Sequence, residues 1–152
     1  MRTFSIAAAG LLAIASSATA SNYIVRNYCD TTMYLTFANP ASTQTDLALP
    51  SGLAFLSAIE GEGNAVVVTN QPNQYWSAGG WKAVFGTSAK DATLWWSLSA
   101  VNGDPIAPGT VNVTSSGATE DVCGHATDYV SGVKQCPDTG VTLVWDLCSD
   151  NA

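Results

Sequence analysis

Leu94-Trp95-Trp96-Ser97-Leu98-Ser99 sets large apolar side chains at every second position, with Trp95, Ser97 and Ser99 between them. That is the period of a strand with one face buried, since successive side chains of an extended chain point to opposite sides. The same period runs outward in both directions. Met33, Leu35 and Phe37 alternate with Thr32, Tyr34 and Thr36, and Val141, Leu143, Trp145 and Leu147 alternate with Thr142, Val144 and Asp146. Further strands are expected over Ile24 to Arg26, Leu53 to Ile59, Ala65 to Thr69, Lys82 to Phe85 and Thr110 to Thr114, which are rich in β-branched or aromatic residues. Turn chemistry separates them, at Asn39-Pro40, Pro50-Ser51-Gly52, Gly61-Glu62-Gly63-Asn64, Gln71-Pro72-Asn73, Gly79-Gly80, Asn102-Gly103-Asp104-Pro105 and Pro108-Gly109. No helical period of useful length competes. The fold class is therefore all-β, a single domain built as an antiparallel sandwich or barrel. Residues 116 to 135 show no alternation and read as a long loop with room for one helical turn.

The first 20 of the 152 residues read as a secretory signal peptide: Arg2, an apolar run from Phe4 to Ala15, and Ala18-Thr19-Ala20 as the small-residue cleavage site. Removing them leaves 132 residues, 21 to 152, as one domain. No later stretch approaches the ~20 apolar residues of a spanning helix, so no membrane insertion is expected. Arg2 leaves with the signal, so four basic residues face twelve acidic ones, a net charge of −8. Nucleic acid is a poor partner for such a surface, because phosphates need a basic stripe. An extracellular location follows, and with it oxidised cysteines.

Cys29, Cys123, Cys136 and Cys148 permit three pairings. Cys29 with Cys148 and Cys123 with Cys136 is the favoured scheme, the first closing a long loop worth about 4 to 5 kcal/mol and the second a short one worth about 3. Sequence alone does not decide between schemes. A metal is the weaker reading, since the cysteines lie 94, 13 and 12 positions apart without a CxxC pair and His125 is the single histidine. No cofactor is expected.

Catalytic constellations fare no better. A hydrolytic triad would need His125 as base, yet it sits between Gly124 and Ala126 and no GxSxG elbow exists. Glu60 and Glu62 resemble a glycosidase pair only in type, because Glu60-Gly61-Glu62-Gly63 reads as a solvated turn. The tryptophans are better candidates. Trp96 and Trp145 belong to the core by alternation, whereas Tyr75, Trp76, Trp81 and Trp95 could offer flat faces to the C–H side of sugar rings. Asn112-Val113-Thr114 is a sequon that nominates Asn112 for N-glycosylation.

Ile24-Val25-Arg26-Asn27-Tyr28-Cys29, then Thr32-Met33-Tyr34, resembles the opening strand and first cysteine of thaumatin-like proteins, and Leu49-Pro50-Ser51-Gly52 their next turn. The stretch from Leu94 to Pro105 and the ending from Cys136 through Leu143 to Leu147-Cys148 are similar to the fungal Blastomyces yeast-phase-specific family, small secreted proteins described as antigenic thaumatin-like proteins. The similarity extends over most of Ile24 to Cys148 and is thinnest from Asn70 to Asp91. Of sandwich and barrel it implies the sandwich, a single-domain antiparallel β-sandwich like the thaumatin core without the extra disulfide-rich lobes, and it favours the Cys29–Cys148 bond. Larger thaumatin-like proteins carry an acidic cleft, and two of its positions align with Ser97 and Asn102, neither of which ionises. Asp104, two residues on, is a partial substitute at best and joins the aromatic residues as a glycan-binding candidate. The expectation is a secreted, non-catalytic protein of the cell wall or host interface that binds a wall polysaccharide. The alternatives are a weak glucan-active or antifungal enzyme, and an effector or surface antigen that binds a host protein.

Overall fold

The computed structural model describes residues 20–107, 109–116, 123–129 and 132–152. The leader assigned to residues 1–20 lies outside them, apart from Ala20. Among the described residues ten strands form two sheets: β1 (Asn22–Asn27), β2 (Met33–Ala38), β3 (Thr43–Leu49), β4 (Ala54–Ala58), β5 (Asn64–Thr69), β6 (Lys82–Lys90), β7 (Thr93–Val101), β8 (Val111–Ser116), β9 (Lys134–Pro137) and β10 (Thr142–Leu147). The order is β4-β1-β10-β8 in one sheet and β3-β2-β5-β6-β7-β9 in the other. Among the described residues the one helical element is a 3-10 turn at Ser149–Asn151.

Alternation decides which residues meet between the sheets. Tyr23 and Val25 of β1 and Leu143, Trp145 and Leu147 of β10 face Met33 and Leu35 of β2, Val66 and Val68 of β5, Ala83 and Phe85 of β6, and Leu94, Trp96 and Leu98 of β7. Phe85 sits at the centre, its ring 5.5 Å from Trp145 and 6.1 Å from Trp96. Both core tryptophans are where the period places them. Such tilted aromatic contacts add to the burial term, which is the main driving force here.

Three expectations are corrected. The sandwich is antiparallel except at one pair: β1 and β10 run parallel from Asn22 opposite Thr142 to Asn27 opposite Leu147. Every other strand lies in the connection between them, so sequence order alone gave no sign of the pairing. Thr43–Leu49 is a strand that no alternation announced, because β3 is a polar edge strand. Asp46 sits there in the left-handed region, and the β2–β3 register shifts between Leu35 and Phe37. Finally, residues 116 to 135 are not all loop: Ala126 bridges to Val113, and β9 starts at Lys134 as the other edge of the six-stranded sheet. β6 also runs on to Lys90, its Gly86, Ser88 and Ala89 being held in the sheet by β7 rather than by their own propensity.

The cysteines pair as Cys29–Cys148 and Cys123–Cys136. Cys29–Cys148 lies just past the parallel pair, with Asn27 turned inward beside it. The Asn27 amide donates to the Thr31 and Leu49 carbonyls, and its oxygen accepts from the Cys29 N–H, so a buried polar side chain is satisfied in full. On the outer side Arg26 grips Asp146 with two hydrogen bonds, of 2.5 and 2.7 Å, across the same two strands. The bonds span 119 and 13 residues, so replacing Cys29 and Cys148 together by Ala should cost about 5 kcal/mol and replacing Cys123 and Cys136 about 3, on chain entropy alone. Urea unfolding of the two double variants measures this, and a larger loss from the short loop would contradict it.

Candidate functional site

The loop between β5 and β6 carries Tyr75, Trp76 and Trp81, and it is tied down at several points. The Asp46 carboxylate accepts from the Asn73 N–H at 2.8 Å, and Lys82 donates to the Ser77 carbonyl at 2.7 Å. Asn102 donates to the carbonyls of Ala78 and Gly80 at 2.6 and 3.2 Å. Asn102, one of the two positions aligned with the acidic cleft, is thus a brace for this loop. Its neighbour Gly103 is required as glycine: at φ 144°, a Cβ there would lie 2.7 Å from the Trp81 ring. The Trp81 indole is held against that bare backbone and remains 48% exposed, while Trp76 is 73% exposed. The half-buried Tyr75 meets the Trp76 ring edge-on at 4.6 Å.

The proposed stacking face does not include every candidate. Trp81 immediately precedes the Lys82–Val101 pair, whereas Trp95 pairs with Ser88 six residues further along β6, about 20 Å away at strand rise. Trp95 instead walls a shallow depression on the outer face of the six-stranded sheet, with Gly86, Ser88, Ser97 and Val133, and its indole N–H donates to the Gln135 carboxamide. Ser97 is part of that floor. Asp104 is committed elsewhere: its carboxylate accepts from the Ile106 N–H at 2.9 Å and from the Tyr129 hydroxyl. It is a structural acceptor, not a free carboxylate beside the tryptophans. Asn112 lies in β8 opposite Asp146, and its side chain falls outside the described residues.

At the other end of β5 the two sheets part. A cavity of about 260 Å³ opens there, with Phe37 and Phe55 stacked 4.4 Å apart beside it, Tyr23 behind them, and Gln44, Ser57 and Asn64 among its polar lining. The cause is local: the inner face of β4 carries only Phe55 and Ser57, and Ala38, Ala58 and Ala65 leave space around them. Tyr23 bonds Ser57, and burial holds its phenol above the usual value. This cleft escaped the sequence reading, since Phe37 and Phe55 belong to strands far apart in the chain and no pattern announces a gap.

Catalytic geometry is not assembled at these places. Glu60 and Glu62 are exposed in their turn, with Glu62 paired to Lys90 at 2.9 Å. His125 is exposed ahead of the Ala126 bridge. Among the described residues no group of His, Cys, Asp and Glu could hold a metal ion.

Burial first, and then the bond to Asp104, pushes the Tyr129 phenol far above its ordinary 10.0. Below that pH the phenol is neutral folded or unfolded. Above it the unfolded chain releases the proton first, so stability falls as pH rises. Alkaline ultraviolet titration of the native protein should therefore show fewer than five phenols ionising near pH 10, and Tyr129→Phe should remove a late one. Five phenols titrating together would contradict the Asp104–Tyr129 contact.

Comparison with known proteins agrees with this architecture. The crystal structure of the protein elicitor MoHrip2 from Magnaporthe oryzae superposes with a TM-score of 0.68 at 23% identity, covering 86% of this chain and all of that one. The thaumatin-like xylanase inhibitor TLXI gives 0.53 at 12% identity, covering 83% of this chain and 98% of its own. At these identities the likeness is one of fold. No curated protein sequence matches the chain. The family model described as Blastomyces yeast-phase-specific protein matches residues 10–149, and the chain belongs to that family.

Proposed function

We propose that the chain is exported, loses residues 1–20, and acts outside the cell as a non-catalytic binding protein at a cell wall or host surface. The observation that carries this reading is the loop bearing Trp76 and Trp81: two exposed indoles on a segment braced by Asp46, Lys82 and Asn102. Exposed tryptophans on a pre-ordered loop lose little entropy on binding, and a flat ring suits the C–H face of a sugar. The chemistry for hydrolysis is missing at the corresponding places. Ser97 and Asn102 cannot serve as acid and base, and Asp104 is held by Tyr129. The two structural neighbours are described as an elicitor and as an inhibitor, neither as an enzyme. The elicitor keeps a second reading open, in which the same loop contacts a host protein.

Purified mature protein should release no reducing sugar from β-1,3-glucan, and its retention on the insoluble polysaccharide should fall about three- to tenfold in Trp81→Ala, the worth of one aromatic contact. Sustained sugar release would sink the non-catalytic reading, and absence of retention on every wall polysaccharide would favour the protein partner. Material secreted from a eukaryotic host should begin at Ser21 and lose mass on peptide N-glycosidase treatment through Asn112. A chain recovered with residues 1–20 attached, or unchanged in mass, would count against export or glycosylation respectively.

A further inference from the structure

We propose that the cleft between the parted sheets binds the end of a cationic amino-sugar chain, an oligomer of glucosamine units. This site is separate from the aromatic loop: Ala65, at the start of β5, lines it, whereas the loop follows Thr69 at the other end. Phe37 and Phe55 give it an apolar wall that the core does not seal, since both are only partly buried. The polar lining supplies what ring hydroxyls require. The oxygen of Asn39 is spent on the Ala41 and Ser42 N–H groups at 3.0 and 2.8 Å, which leaves its amide N–H₂ as a donor. The Asn64 amide donates to the carbonyls of Glu60 and Gly61, which leaves its oxygen as an acceptor. Gln44 supplies both kinds from the edge strand.

The cleft continues outward. A second cavity of about 420 Å³, lined by Pro40, Gly61 and Glu62 among others, shares Asn39 and Glu60 with the first. One ring fits the inner space against Phe55 and the following units lie along the outer one, so the ligand is a chain rather than a single sugar.

Glu60 decides the charge of that chain. It stands in the wall common to both cavities, and its carboxylate makes no hydrogen bond or ion pair with the described residues, whereas its neighbour Glu62 is neutralised by Lys90. A carboxylate that shares a cavity lining with aromatic rings is a recognition pattern for an ammonium group. The net charge of −8 on residues 21–152 attracts a polycation and repels an acidic polysaccharide. A neutral glucan could offer Glu60 hydroxyl donors but no positive charge to neutralise it.

The test is calorimetric titration of the mature protein with a glucosamine hexamer, its fully N-acetylated counterpart and a β-1,3-glucose hexamer. The glucosamine oligomer should bind, more weakly as salt rises, and at least tenfold more tightly than either neutral chain. Glu60→Gln should cost about tenfold with an unchanged near-ultraviolet dichroism spectrum, as expected for loss of a charged hydrogen bond at an exposed position. Phe55→Ala should weaken binding further, and Gln44→Ala, also exposed, guards against loss of fold in that variant. Equal affinity for the acetylated oligomer, no effect of Glu60→Gln, or no binding of the glucosamine oligomer would each overturn the proposal. None of these outcomes bears on retention through Trp81, which is read on a different polysaccharide with a different variant.

Discussion

The parallel pairing of β1 with β10 is the contact on which the molecule depends. In the four-stranded sheet, β4 joins β1 and β8 joins β10, so this one ladder unites two hairpin-like halves. It also brings together the first and last strands of the domain, the most costly contact in loop entropy that the chain can make. Three devices reinforce it: the Cys29–Cys148 bond at one end, the two-pronged Arg26–Asp146 pair on the outer face, and Tyr23, Val25, Leu143 and Trp145 packed beneath. Arg26 is partly exposed, so its ion pair adds less than the buried residues below it. The first residue after the expected cleavage point takes part as well. Ser21 is buried, its hydroxyl donating to Asp138 and accepting from the Val141 N–H, so the start of the domain is fastened as firmly as its end.

With the chain ends so fixed, the recognition proposed for this protein falls to what the sheets do not use. The β5–β6 loop is long enough to present two indoles and is braced by three separate side chains. The opposite end of β5 falls where small residues let the sheets diverge. Among the described residues no group of His, Cys, Asp and Glu could hold a metal ion, and Asp104 is consumed in holding Tyr129.

Much of this was written in the local pattern. The period of two placed Trp96 and Trp145 inside, and the polar and glycine neighbours of Trp76 and Trp81 set those residues apart as surface candidates. The disulfide scheme and the family likeness agreed with the bonds that form. What escaped was whatever the whole fold imposes. β3 and β9 are edge strands that bury little beyond Leu49 and Cys136, so no alternation marks them. Trp95 looked like part of one aromatic face, yet strand register carries it far from Trp81. Asn102 aligned with a cleft carboxylate, and its role as the brace of a loop twenty residues away depends on a contact between two turns. The opening beside Phe37 and Phe55 exists because small side chains from three strands, Ala38, Ala58 and Ala65, happen to converge.

Native-state hydrogen exchange followed by mass spectrometry puts the central claim to the most direct test. If the β1–β10 ladder unites the domain, peptides covering Asn22–Asn27 and Thr142–Leu147 should exchange last, with an opening free energy equal to that of global unfolding, after β3, β4 and the β5–β6 loop have exchanged. Exchange of those two strands ahead of β5, β6 and β7 would mean that the six-stranded sheet stands without them, and would contradict the account.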